Sequence, residues 1–159
     1  MVTDRNETET ERMDRNWSEL LQELRVAQTG VQVLSGFLLT LPFQQRFTAL
    51  SPEYRVVFLF AFVLATTATA LLIAPVSSHR LLFRKHEKDV LVQTSDVLAK
   101  AGLIALALAV TTVVLLIFAV VIGTGTAVVA SALFLMLFLV LWILLPLTLL
   151  RRHGHRRPS

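Results

Sequence analysis

The chain has no cysteine, only 16% charged residues and not one acidic residue after Asp96. The first absence excludes disulfides, thiolate catalysis and iron–sulfur or Cys-type zinc sites, and it leaves the redox compartment unreadable. The scarcity of charge, set against a hydrophobic fraction of 55%, is well outside soluble usage and points to a membrane protein. The missing late acids bear on transport, because carrying protons or sodium through a bilayer usually requires an ionisable group at depth. All 11 acids lie at or before Asp96, and none falls inside an apolar run. Ser-His-Asp arrangements, Gly-rich phosphate loops and HExxH are also lacking, so neither an enzyme nor a cofactor is expected. His79, His86, His153 and His155 are poorly spaced for zinc and flanked by arginines that repel a dication, so they read as solvated histidines rather than a metal site.

What is present is apolar sequence in runs of the roughly 20 residues that cross a bilayer. Four spans are expected, at about 26–43, 54–75, 97–122 and 127–150, with a cytoplasmic amphipathic segment at 1–25 and a basic tail at 151–159. The polar segments are short, so the reading is one membrane domain with no separate soluble catalytic domain. The opening stretch is polar and mixed in charge, unlike a signal peptide, so the first span is expected to persist in the mature protein. Within it Met13, Trp17, Leu20, Leu21, Leu24 and Gln28 recur at helical spacing, which predicts an amphipathic helix on the inner leaflet with Trp17 at headgroup level. Before the second span, Ser51 can cap, Pro52 suits the first helical position and Glu53 favours the positive end of the dipole. Spans three and four are divided only by GTGT at Gly123 to Thr126, where glycines permit a reversal and Thr126 can cap the next helix. The predicted fold is all-α, an integral membrane four-helix bundle preceded by an amphipathic helix.

Orientation follows from the basic residues, since short loops rich in Lys and Arg stay in the cytoplasm. Arg5, Arg12, Arg15 and Arg25 precede span one, Arg80, Arg84, Lys85, Lys88 and Lys100 lie between spans two and three, and Arg151, Arg152, Arg156 and Arg157 follow span four. Only Arg46 and Arg55 lie between spans one and two. Both termini are therefore expected in the cytoplasm, with Trp17, Arg25, Arg80 and Arg84 as interface anchors. The net charge of +4 is a topology signal and a weak attraction to anionic lipid, and it does not indicate nucleic-acid binding.

Small residues four apart let helices approach closely in lipid. Span two offers Ala61, Ala65 and Thr69 beside Thr66, Ala70 and Ala74, and span three offers Ala101, Ala105 and Ala109. Span four is bulky except at Ala127 and Ser131, which predicts that spans one to three make the tight contacts and span four faces lipid. Span one carries Gln28 and Gln32 one turn apart, the second continuing through Gly36 and Thr40. From an inner interface at Leu24 and Arg25, Gln28 lies about 4.5 Å and Gln32 about 10 Å along the axis at ~1.5 Å per residue. Gln28 is thus expected to reach headgroup water, and Gln32 to face the bundle and bond Thr66, Thr69 or a backbone carbonyl. These four residues form the candidate intramembrane polar site.

The elements LRV at Leu24 to Val26, GVQ at Gly30 to Gln32, PFQQRF at Pro42 to Phe47 and APxxxHRxLFR at Ala74 to Arg84 carry a resemblance. From Trp17 to about Val121 the chain resembles an uncharacterised family of small actinobacterial four-span proteins, some of which bear the label sodium:proton antiporter. The resemblance implies an integral membrane protein of actinobacterial type, expected in the plasma membrane, but supplies neither substrate nor catalytic residues. Some members place an acid late in span three, where this chain has Ala119. An amide does not titrate, so Gln28 and Gln32 cannot replace such an acid. The expected role is a non-enzymatic interaction or accessory protein that contacts lipid and a membrane partner or a second copy of itself; the alternative is a small ion transporter such as an antiporter.

Overall fold

The computed structural model describes residues 9–82, 88–145 and 147. They form helix α1 (Glu9–Thr40), two short 3-10 turns (Leu41–Phe43 and Gln45–Ala49), α2 (Pro52–Leu82), α3 (Lys88–Val121) and α4 (Thr124–Leu139), the last running on through a π-helical turn at Val140–Leu144. The fold is an all-α helical bundle, and four stretches are long and apolar enough to cross a membrane: Leu21–Phe43, Pro52–Val76, Thr94–Val121 and Thr124–Leu144.

The helices are longer than the spans. α1 is one continuous helix of 32 residues, so the amphipathic segment and the first span are a single element rather than an interfacial helix followed by a separate span. Nothing breaks it, because proline is absent from Glu9 to Thr40 and an isolated helical glycine such as Gly30 costs only about 1 kcal/mol. At ~1.5 Å per residue it is about 48 Å long, well beyond a hydrocarbon core of ~30 Å. Likewise α2 runs on to Leu82 and α3 starts at Lys88, each beyond the bounds of its expected span. The backbone of Trp17 and Arg80 lies in α1 and α2, whereas their side chains, and Arg84 altogether, lie outside the described residues.

α1 stops where Pro42 cannot continue it, and the chain turns at extended Gln44. Arg55 ties this connection to α2 by donating to the carbonyls of Leu50 and Thr48. α2 begins at Pro52 with Glu53 in its first turn. The hydroxyl of Ser51 makes no hydrogen bond among the described residues, so it provides no side-chain cap to α2; its carbonyl accepts the Arg55 N–H instead. At the hairpin Gly123 has φ +137°, a conformation essentially reserved for glycine, and α4 starts one residue later. The cap position is therefore Gly123, and Thr126, the residue expected to cap, sits inside the first turn of α4.

Packing runs α1 on α2, α2 on α3 and α3 on α4, with a minor touch between α1 and α3. α4 meets no other helix face among the described residues, apart from a bond between the Tyr54 hydroxyl and Thr124 Oγ1 (3.3 Å) at the hairpin end. In α4 only Ala127 and Ser131 are buried, the two positions the sequence singles out. Span one is no better covered than span four, so the tight contacts belong chiefly to α2 and α3.

The buried residues follow a seven-residue rhythm. α1 buries Leu24, Val31 and Leu38; α2 buries Phe58, Ala61, Ala65, Ala68, Leu72 and Pro75; α3 buries Ser95, Ala99, Gly102, Ala109 and Leu116 along one side. Alternating steps of three and four drift only ~20° per heptad, so one seam stays on its neighbour over the whole length. Steps of four alone advance about 40° each at ~3.6 residues per turn, and such a stripe walks off the contact. This is why Ala61 and Ala65 are fully buried but Thr69 is half-buried, and why Thr66 and Ala70 are exposed. Two clusters result, one around Leu24, Val31, Ala68 and Leu72, the other around Leu38, Phe58, Ala65 and Ala109.

Candidate functional site

The first cluster contains a polar side chain that bonds between helices. Gln28 is half-buried on the flank of the Leu24–Val31–Leu38 seam, and its Nε2 donates to the backbone carbonyl of Leu72 on α2 at 2.7 Å. Leu72 lies in the turn preceding Pro75, a proline inside α2. Pro75 has no N–H, and its ring crowds the carbonyl four residues back, at Leu71. A donor delivered from α1 to the adjoining carbonyl adds hydrogen bonding to a turn that has lost some.

α3 closes the junction from the other side. A Cβ added to Gly102 would stand 2.8 Å from Leu72 Cγ and 3.2 Å from Leu71 Cβ. Only a glycine lets α3 come so near this turn, and Leu72 has no exposed surface into which it could retreat. Gln28, Leu72 and Gly102 thus bring three helices together at one level. One heptad before Gly102, the buried hydroxyl of Ser95 has no hydrogen-bond partner among the described residues. Dispensable polar decoration would more readily point outward, since a buried unpaired hydroxyl costs about 1–3 kcal/mol. The junction can hold a geometry and offer an amide, but none of its side chains titrates near neutral pH.

The two glutamines exchange the places expected for them. Gln32 is exposed, with no hydrogen bond to the described residues, while Gln28 makes the bond across to a backbone carbonyl. The cause is the 40° advance: Gln28 sits at the edge of the buried face, and one step of four carries Gln32, Gly36 and Thr40 out of it. The threonines do not join them. Thr66 Oγ1 is exposed and donates to its own helix at Phe62, and Thr69 Oγ1 donates to Ala65. Arg25 is exposed. Gly102, Leu72 and Pro75 were not singled out in the sequence; a glycine within the apolar alanine-rich run of α3, seven residues from Ala109, was the available signal.

Residues 6–146 match the family described as "Family of unknown function (DUF6328)". The chain belongs to that family. No curated protein and no solved structure matches it significantly. The family match and the four apolar helices together indicate a multi-pass membrane protein, and the family brings no role with it.

Proposed function

We propose that this chain is a non-enzymatic accessory protein of an actinobacterial plasma membrane, both termini cytoplasmic, that acts by docking the outward face of α1 onto a helix of another membrane protein. The observation that carries this reading is the exposed stripe of Gln32, Gly36 and Thr40, which lies at hydrocarbon depth and faces away from the chain's own helices. An amide left in hydrocarbon without partners is costly, whereas a facing helix can satisfy it. Gly36 has open space beside it, so a neighbour's backbone can approach closely there. The inner junction around Gln28 holds α1 in the rotation that presents this stripe. An ion-transport role draws no support from the acids, since the chain has none beyond Asp96 at the edge of span three.

The test is purification from native membranes in gentle detergent, with mass spectrometry of what accompanies the wild type and Gln32→Leu. A stoichiometric membrane protein lost in the variant supports docking. Its retention at full yield, or the absence of any companion with the wild type, overturns the reading.

A further inference from the structure

α3 and α4 part company toward their inner ends. Ala127 and Ser131, both buried, hold α4 close to α3 near the hairpin, but the later residues of α4 on this side are Leu135, Phe138 and Trp142, and a gap opens between the two helices there. The result is a cleft of about 620 Å³, open on one side, walled by Leu103 and Ala107 on α3 and by Leu135, Phe138 and Trp142 on α4, with Lys100 at one end. Its volume lies within the roughly 300–1,000 Å³ typical of small-molecule pockets. Its walls are apolar, and Phe138 and Trp142 meet edge to face at 5.1 Å, which gives the α4 side a fixed shape.

The ends of the cleft are matched to a bilayer. Lys100 lies about 32 Å from Val121, and Trp142 about 27 Å from Thr124, at ~1.5 Å per residue, so both stand roughly one hydrocarbon thickness from the hairpin. A lysine and a tryptophan at that depth are at headgroup level. Lys100 is not an isolated cation: its ammonium is ion-paired with the Asp96 carboxylate one turn earlier, and both groups are substantially exposed. The mouth therefore presents one positive and one negative charge side by side.

We propose that this cleft binds one acyl chain of a phospholipid whose headgroup is zwitterionic and carries a primary ammonium, of the phosphoethanolamine type. The chain lies along Leu103, Ala107, Leu135 and Phe138. The phosphate replaces Asp96 on the Lys100 ammonium, and the headgroup ammonium donates to the freed carboxylate. A choline headgroup has the same charges but no N–H to donate, and a glycerol headgroup leaves the carboxylate facing an anion.

The experiment reconstitutes the full chain in vesicles containing phosphatidylethanolamine, phosphatidylcholine and phosphatidylglycerol in equal amounts with identical acyl chains. The protein is then re-extracted, washed in detergent, and its retained lipid counted by native mass spectrometry. Expected is about one phosphatidylethanolamine per chain, enriched about five- to tenfold over phosphatidylcholine, the net worth of one ordinary hydrogen bond at this exposed site. Asp96→Asn should abolish that enrichment and shift retention to phosphatidylglycerol, and Ile104→Trp, which fills the cleft from its exposed wall, should lower retention of all three. Equal retention of the three lipids, preference of the wild type for phosphatidylglycerol, or unchanged selectivity in Asp96→Asn each overturns the proposal. Absence of retained lipid does so too, and would leave a protein helix as the occupant of the cleft.

Discussion

Replacing Gly102 with alanine should destabilise the bundle, although alanine is the better helix former. In an open helical position the exchange gains about 0.8–1.0 kcal/mol. At Gly102 the new methyl would meet Leu72 Cγ at 2.8 Å, Leu72 Cδ2 at 2.9 Å and Leu71 Cβ at 3.2 Å. Leu72 is fully buried, so relief requires a changed rotamer or separation of α2 from α3. Overpacking of this kind costs about 1–3 kcal/mol, which leaves a net loss of about 0–2 kcal/mol after the propensity gain. Moving Leu72 also moves the carbonyl that Gln28 grips, so the effects of Gly102→Ala and Gln28→Leu should couple by about 0.5 kcal/mol or more. The assay is a thermal melt in detergent of both single variants and the double, with Gly30→Ala as reference, because nothing lies within 4 Å of a Cβ at Gly30. Gly30→Ala should raise the midpoint and Gly102→Ala should lower it by a few degrees. Equal increases for the two alanines, or strict additivity with Gln28→Leu, would refute the junction.

Gln28→Leu alone should lower stability by ~0.6–2 kcal/mol, the worth of an interhelical hydrogen bond in a membrane, whereas Gln32→Leu should leave the melt of the isolated chain unchanged. Gly123→Ala should weaken the hairpin by about 1–3 kcal/mol, visible in the same melt, because φ +137° strains any residue with a Cβ. Ala65→Leu should damage folding far more than Leu137→Ala, read as yield of monodisperse protein, since Ala65 has no exposed surface and Leu137 is half exposed. Reporters fused after residue 15, between Gln44 and Ser51, after Lys85 and at the C-terminus should read in, out, in and in.

Element type and number were legible because they depend on quantities a single sequence carries in full: run length, hydropathy and the glycine turn at Gly123. The exposure of α4 was legible for the same reason, as its bulky composition left only Ala127 and Ser131 for close contact. Rotation of each helix about its axis was not. Stripes of four at Ala61–Thr69 and Gln32–Thr40 look coherent in one dimension, but the contacts follow Phe58, Ala61, Ala65, Ala68 and Leu72, a heptad seam that the partner helix selects. Once that seam is fixed, the inversion of Gln28 and Gln32 follows from a 40° step. The continuity of α1 is hidden in the sequence because composition changes from polar to apolar near Arg25 while the backbone meets nothing there that would end a helix.

The claim that α1 presents Gln32 to another protein is tested most directly by a photo-crosslinking residue placed at position 32 in native membranes, with the same residue at Leu133 of α4 for comparison. Both positions are exposed in the isolated chain. The account predicts a discrete protein adduct from position 32 and only lipid adducts from position 133. Lipid adducts alone at position 32, with the protein present at its normal level, would contradict it.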